Sequence, residues 1–197
     1  MTRLLIIGPP GSGKGTQAEH LARHFNVPAV STGDIFRSNV SRETELGRRA
    51  AGYLDGGSFV PDHLTNALVR DRLQDTDVRS GFLLDGYPRT APQVAELDNM
   101  LASQGRALDA VIELLAPDAE LEQRMRQRAQ EQGRSDDTEE VFRRRLELYH
   151  TETHEVVSAY AGRGLLVSVD GMGDPGEITA LAIAAVEKFL ASFHPRT

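Results

Sequence analysis

Cysteine is absent from this sequence of 197 residues, and so are long apolar runs. Without thiols the chain can form neither disulfides nor thiolate-ligated zinc sites. The first apolar run, LLII, is too short for a signal peptide, and no run approaches the length of about eighteen residues that crosses a bilayer. We therefore expect a cytoplasmic protein that uses no zinc and has no membrane contact.

Lysine is scarce, because Lys14 and Lys188 are the only two against 22 − 2 = 20 arginines. Acidic residues number 29, so the net charge is 22 − 29 = −7. This negative field disfavours a general nucleic-acid binder, and an anionic ligand would need a concentrated basic pocket. A single arginine indicates little against such an arginine-rich background.

The pattern of apolar residues predicts the fold class. At about 150 residues per domain the length predicts one domain, and a 40% apolar content is enough for a buried core. Helical periodicity fills the stretches between short apolar runs, which predicts a three-layer α/β/α fold around a parallel sheet. The five predicted strands are LLII (4–7), VPAV (27–30), FLLD (82–85), AVIELL (110–115) and LLVSV (165–169).

The gap between the second and third runs is too long for a simple crossover. It indicates helices around 33–52 and 62–74, in an excursion that ends near Gly56 and Gly57. Ser31, three residues before Asp34, is typical of a helix N-cap, and Asp137 with Glu140 repeats this pattern. After Asp137 one apolar stripe predicts a long helix, with Phe142, Leu146, Tyr149, Thr153, Val156 and Tyr160 on one face.

The segment GPPGSGKGT, residues 8–16, is the strongest functional signal. It follows the first strand and precedes a helix, the context in which glycine-rich backbone N–H groups and a lysine hold phosphates. The hydroxyl residue is Thr16, one place later than in the strict pattern, because Gly15 follows Lys14. An ordinary glycine-rich turn is the alternative.

The segment FLLDGYPR, residues 82–89, is a second candidate. Asp85 ends a buried strand, where a carboxylate could hold the water shell of Mg²⁺ beside the phosphate loop. A simple turn explains Asp-Gly and Tyr-Pro equally well. Arg89 follows Pro88, which stiffens the loop that carries it.

Four arginines surround the short segment AQEQG, residues 129–133. Guanidinium groups one helical turn apart repel each other and cannot lose their protons, so such a set favours a bound anion. The alternative is that Glu120 and Glu131 neutralise two of them as surface ion pairs. The set comprises Arg124, Arg128, Arg134 and Arg145, and Leu121 and Met125 place the first two on the inward side of their helix.

Other polar patterns have simpler explanations. Histidines four residues apart could hold a metal, but third ligands are lacking and solvated helix faces explain them better. The segment DGMG resembles the DxxG of GTP switches, but no NKxD motif accompanies it, so we interpret it as a turn. These patterns are His20 with His24, His150 with His154, and residues 170–173.

Taken together, the motifs resemble the adenylate kinase family from Met1 to about Leu190. The resemblance is carried, in the family's order and spacing, by GPPGSGKGTQ, STGDIFR, FVPD, DGYPRT with Gln93, GRSDD and RRRLELY. It implies a P-loop kinase with a five-stranded parallel sheet, a nucleoside-monophosphate-binding insertion at 31–60 and a short lid at 128–138. A lid this short also agrees with the absence of zinc.

The resemblance implies two nucleotide sites. The family's pattern usually has Phe where this chain has Tyr87. The implied ATP contacts are Gly11, Ser12, Gly13, Lys14, Gly15, Thr16, Arg124, Arg128 and Gly173. The implied AMP contacts are Thr32, Arg37, Ser58, Phe59, Val60, Gly86, Tyr87, Pro88, Arg89, Gln93, Arg134 and Arg145. The implied catalytic set is Lys14, Arg89, Arg124, Arg128, Arg134 and Arg145, with Asp85 holding Mg²⁺ through water.

The implied activity is the reversible, Mg²⁺-dependent reaction of ATP and AMP to give two ADP, in nucleotide homeostasis. We expect a monomer whose partners are these small nucleotides and not nucleic acid. Thr32 and Gln93 resemble the family's AMP-binding pattern, and an amide such as Gln93 can both donate to and accept from a purine edge, so AMP is favoured over a pyrimidine monophosphate as acceptor. The alternatives are a UMP/CMP kinase, a non-catalytic phosphate-loop switch and an arginine-rich nucleic-acid binder.

Overall fold

A parallel five-stranded sheet forms the centre of the molecule, in the order β2-β3-β1-β4-β5. The computed structural model of the chain describes residues 1–132 and 138–193. The strands are β1 (Thr2–Ile7), β2 (Ala29–Ser31), β3 (Gly81–Asp85), β4 (Ala110–Leu115) and β5 (Leu166–Asp170). The predicted fold class is confirmed, although β2 begins two residues after the predicted start of its run.

Helices cover both faces of the sheet because the strands are apolar on both sides. Successive side chains of β1 alternate, so that Leu4 and Ile6 pack with α1 (Lys14–His24) and α9 (Pro175–Phe193). Leu5 packs into the opposite core layer, to which several helices contribute. Among them are α4 (Asp62–Arg72), α5 (Ala91–Ala102) and α8 (His154–Gly162).

The helix predicted around 33–52 is wrong as a single element. The structure has α2 (Thr32–Ser41) and α3 (Glu45–Asp55), separated by a turn in which Glu43 has a φ of 52°. The Thr44 hydroxyl then caps the new helix by accepting from the Gly47 N–H at 3.0 Å. A Cβ on Gly47 would lie 2.1 Å from the Asn39 carbonyl oxygen, so the close packing of the two helices requires glycine.

The stripe predicted for one long helix extends over three elements. They are α7 (Glu139–Leu148), a π-helical turn (Tyr149–Thr153) and α8, and they follow α6 (Asp118–Gln132). Phe142 packs with Leu121 and Met125 in a small cluster between α6 and α7. The cap of α7 is the Thr138 hydroxyl, which accepts from the Val141 N–H at 3.3 Å. The predicted cap, Asp137, lies outside the described residues.

The carboxyl ends of all five strands lie at one edge, as parallel pairing requires. Asp85 at the end of β3 is level with Ser31 of β2 on one side and Ile6 of β1 on the other. The loops that follow these strands therefore converge at this edge. None of the helices in the described ranges combines the length and the apolar composition needed to cross a bilayer.

Candidate active site

A cleft of about 580 Å³ opens at the carboxyl edge of the sheet. Its volume lies within the range of about 300–1,000 Å³ that is typical of ligand sites. A cavity of about 30 Å³ adjoins it. The cleft brings together the predicted residues Gly11, Gly13, Lys14, Gly15, Thr16, Arg37, Ser58, Phe59, Asp85, Gly86, Tyr87, Pro88, Arg89, Arg124 and Arg145. The cavity adds Thr32, Val60 and Gln93.

Of the remaining predicted residues, Ser12 and Gly173 are not among the described residues that line either space. The Ser12 side chain is buried within the phosphate loop, where its hydroxyl has no hydrogen-bond partner among the described residues. Gly173 has a φ of 117° in the loop after β5. Arg134 and the side chain of Arg128 lie outside the part of the chain that the structure describes.

The phosphate loop owes its shape to close packing against α6. Gly11 has a φ of 84°, and a Cβ there would lie 2.9 Å from the Leu121 carbonyl oxygen. Only glycine fits both constraints without strain. The loop leads into α1, whose first turn carries no acidic side chain. Its N-terminal N–H groups and the positive end of the helix dipole therefore favour an anion.

Lys14 lies at the start of α1 and reaches back across the loop. Its Nζ donates to the Pro9 carbonyl oxygen at 2.7 Å, which holds the ammonium group beside the loop within the cleft. An ammonium group carries three donors, and this bond uses one of them.

Asp85 faces Lys14 from the end of β3. Burial raises the pKa of the Asp85 carboxyl, while the positive charges of Lys14 and Arg89 oppose that rise. Thr32 donates from its hydroxyl to the Asp85 carbonyl oxygen at 3.3 Å, which links α2 to this strand end. One oxygen ligand beside a phosphate site fits Mg²⁺, which protein sites usually hold through one or two carboxylates and substrate phosphates. The described residues contain no cluster of three side chains from His, Cys, Asp and Glu that could bind a metal.

Arg89 is the centre of a group of guanidinium side chains. Its Nε donates to the Gly86 carbonyl oxygen at 2.7 Å, and its guanidinium lies 5.3 Å from the centre of the Phe59 ring. Burial lowers the pKa of Arg89; Asp85 opposes this, whereas Arg145 and Arg37 add to it. Since arginine stays protonated at neutral pH, the repulsion among these groups is relieved by a bound anion.

Arg124 lines the cleft and also forms the ion pair that the sequence offered as the alternative. Its Nε donates to Glu120 at 2.8 Å, so the predicted ion pair exists. A second nitrogen donates to the Gly171 carbonyl oxygen at 2.9 Å, and the side chain is only 24% exposed. Arg124 thus joins α6 to the loop after β5 while it lines the cleft.

Tyr87 has a hydrogen-bonding role that phenylalanine could not have. Its hydroxyl donates to Asn66 Oδ1 at 2.8 Å and lies 3.2 Å from the Gln93 carbonyl oxygen. It therefore ties α4 to the start of α5. Burial raises the pKa of Tyr87 well above its usual value, so the phenol remains protonated and can donate.

Two contacts were not predicted from the sequence. Thr153, placed in the apolar stripe, donates from its buried hydroxyl to the Arg89 carbonyl oxygen at 3.1 Å. Asp62, the last residue of FVPD, accepts from the Gln93 amide at 2.6 Å. The signals available were a threonine in an otherwise apolar face and an acidic residue beside a proline, and both are too common to identify a site.

The remaining motifs make local contacts, although His20 is half-buried against α9 and does not lie on a solvated helix face. His20 lies 3.0 Å from the Thr179 hydroxyl, and His24 lies 2.9 Å from Glu187. The segment DGMG is a turn closed by the Met172 N–H, which donates to Asp170 at 3.0 Å. The predicted N-cap at Ser31 is also present, because its hydroxyl accepts from the Asp34 N–H at 3.2 Å.

Comparison with known proteins agrees with this geometry. The family model described as "Adenylate kinase" matches residues 6–165. The adenylate kinase of Pseudarthrobacter chlorophenolicus is 57% identical over 187 residues, which cover 95% of this chain and 97% of that protein. The adenylate kinase of Bifidobacterium longum is 54% identical over 185 residues, which cover 94% of this chain and 100% of that protein. The chain therefore belongs to the adenylate kinase family, whose members are nucleoside monophosphate kinases.

Proposed function

We propose that the chain catalyses the reversible transfer of a phosphoryl group between Mg²⁺-bound ATP and AMP, giving two ADP, and so balances the adenine nucleotides. The observation that carries this proposal is the single cleft into which Lys14, Arg89, Arg124 and Arg145 converge beside the phosphate loop. Such a cleft suits two phosphate chains facing each other. The two relatives described above are both named adenylate kinase, and each matches nearly the whole chain.

ATP would occupy the side of the cleft formed by the phosphate loop. The loop backbone from Gly11 to Thr16 would surround the outer phosphates, and Lys14 would contact the transferring group. Arg124 would add charge from α6, and we place Arg128 on the same side. Gly173 would contact the base from the loop after β5.

AMP would occupy the side formed by residues 31–60 and the loop after β3, with 31–60 acting as the monophosphate-binding subdomain. Arg37 and Arg89 would pair with its phosphate, and Gln93 would contact its base from the adjoining cavity. The other proposed AMP contacts are Thr32, Ser58, Phe59, Val60, Gly86, Tyr87, Pro88, Arg134 and Arg145.

This arrangement accounts for the reaction without a general base. The attacking atom is a phosphate oxygen of AMP, which is already ionised at neutral pH, so no proton has to be removed. Catalysis then consists of aligning the two phosphates and stabilising charge that spreads over the transferring group. Mg²⁺, held by the nucleotide phosphates and through water by Asp85, would supply part of this neutralisation.

Water competes with AMP as the acceptor, so the cleft has to exclude it during transfer. We propose that residues 128–138 act as a short lid carrying Arg128 and Arg134. Closure over both nucleotides would bring these charges to the transferring group only when the acceptor is bound. We further propose that the enzyme acts in the cytoplasm as a monomer.

The proposed acceptor is tested by a coupled assay that offers AMP, CMP or UMP with ATP, with and without Mg²⁺. We expect kcat/KM for AMP to exceed that for either pyrimidine monophosphate by at least about tenfold. A base that leaves the buried Gln93 amide without a hydrogen-bond partner should lower kcat/KM by at least that factor. Omission of Mg²⁺ should abolish turnover of every acceptor. Faster turnover of CMP or UMP would contradict the assignment.

A further inference from the structure

We propose that Asp62 fixes the orientation of the Gln93 side-chain amide and thereby determines whether the acceptor site selects adenine or a 6-oxopurine base. This inference rests on the proposed function, because it deepens the assignment of Gln93 to the AMP base. Asp62 is a positioning residue in this role, because it acts on the base through Gln93.

The Gln93 amide is held from both ends. The side chain is buried, with 2% of its surface exposed. Its Nε2 donates to Asp62 Oδ1 at 2.6 Å, and its Oε1 accepts from the Arg89 backbone N–H at 2.8 Å. The second oxygen of Asp62 accepts from the Thr90 hydroxyl at 3.1 Å, which steadies the carboxylate.

The chemistry of these partners permits only one orientation of the amide. An ionised carboxylate only accepts hydrogen bonds, and a backbone N–H only donates. A rotated amide would place its oxygen against Asp62 and its NH₂ group against the Arg89 N–H, so both bonds would be lost at a buried position. The positions of the amide nitrogen and oxygen therefore follow from the partners themselves.

The fixed amide keeps one donor and one acceptor for a ligand. A primary amide has two N–H groups and two oxygen lone pairs, and the contacts with Asp62 and Arg89 use one of each. Gln93 lines the small cavity together with Thr32 and Phe59. A base whose edge reaches this cavity from the adjoining cleft therefore meets a donor and an acceptor whose places cannot be exchanged.

Adenine and 6-oxopurines differ at position 6, in the group that can form a hydrogen bond with such an amide. Adenine carries an amino donor at position 6, whereas guanine and hypoxanthine carry a carbonyl acceptor there. An amide that can rotate would adapt to either base, but a fixed amide suits only one. Given AMP as the proposed acceptor, Asp62 would thus exclude IMP and GMP by preventing the rotation.

The alternative is that Asp62 serves only the stability of α4. It lies in the first turn of that helix, where a negative charge is favourable. Loss of a purely stabilising charge would lower the activity with every acceptor in proportion. Loss of an orienting contact would instead change the ratio between acceptors.

The test is Asp62→Asn, which keeps the size of the side chain but can offer either a donor or an acceptor to Gln93. We expect the ratio of kcat/KM for AMP to that for IMP to fall by about tenfold or more, because one good base contact is worth that much discrimination. The matched control is Asp71→Asn, which removes an exposed charge from the last turn of α4 and should leave the ratio unchanged. Thermal unfolding would establish that both variants are folded at the assay temperature.

A ratio for Asp62→Asn within about twofold of the wild-type ratio would overturn the proposal, as would a proportional loss with both acceptors. Should this variant unfold, Asp62→Ser provides the same comparison, since its hydroxyl can also donate or accept and serine is favourable at a helix start. Measurements on the wild-type enzyme distinguish a failure of the proposed acceptor from a failure of the proposed role of Asp62. If it fails to prefer AMP over CMP and UMP, the proposed acceptor is wrong, whereas a normal preference with an unchanged Asp62→Asn ratio rejects only the role of Asp62.

Discussion

Lys14→Met is expected to lower kcat for the reaction of ATP with AMP by about 10²-fold or more, a loss typical of removing one fixed group that stabilises transition-state charge. Methionine keeps the length and much of the apolar stem but removes the ammonium group. That group lies within the cleft, where it donates to the Pro9 carbonyl oxygen of the phosphate loop. Steady-state kinetics in the direction of ADP formation would measure the change.

The chain offers a matched control for this substitution in its second lysine. Lys188 is exposed on α9, so Lys188→Met removes the same charge with no expected change in kcat. Circular dichroism would show that both variants keep the fold. A folded Lys14→Met variant with a nearly normal rate would remove Lys14 from the proposed machinery.

Arg89→Ala is expected to lower kcat/KM for AMP by about 10²-fold or more, because a bidentate, charge-assisted contact to a phosphate would be lost. The guanidinium is held in place by the Gly86 carbonyl oxygen and the face of Phe59. Because burial and the neighbouring Arg145 and Arg37 already lower the pKa of Arg89, its charge does not contribute favourably to the ligand-free fold. We therefore expect the variant to fold.

Two further variants make this expectation specific. Arg89→Lys keeps a positive charge but loses the planar fork, so it should recover only part of the lost activity. Arg79→Ala removes an exposed arginine just before β3 and should leave the kinetics unchanged. Equal kcat/KM for AMP in Arg89→Ala and Arg79→Ala would show that Arg89 does not contact the acceptor.

The sheet and the phosphate loop were predictable because local sequence determines them. The central strands β1 and β3 are largely buried and read as apolar runs, and β4 has the predicted bounds. The loop follows a strand and opens a helix, and Gly11 marks a position where a side chain would collide with α6. Periodicity sufficed for α4, which ends two residues before its predicted end.

The breaks in the helices were not predictable from periodicity. The turn between α2 and α3 depends on a positive φ at Glu43 and on the cap at Thr44, neither of which interrupts the apolar pattern. The π-helical turn that carries Thr153 likewise leaves the apolar stripe intact. Its one extra residue per turn rotates the apolar face slightly but does not interrupt it. Such features follow from tertiary packing.

In the candidate site, the residue types were predictable but their pairing was not. Spacing indicated only that the arginines would bind an anion, and the family resemblance implied that this anion is a nucleotide phosphate. The bonds from Arg124 to Gly171 and from Gln93 to Asp62 join residues 47 and 31 positions apart, so no local pattern reveals them. The Asp62 contact matters most, because it gives an acidic residue outside the predicted set a defined effect on the site.

The central claim is that one cage of fixed positive groups holds two nucleotides with their phosphates facing each other. A crystal structure of the enzyme with a bisubstrate analogue, in which a polyphosphate chain joins two adenosines, tests it most directly. We predict that the polyphosphate lies along the cleft in contact with Lys14, Arg89 and Arg145, with the edge of one adenine at the small cavity beside Gln93. An analogue bound away from these three side chains would contradict the account.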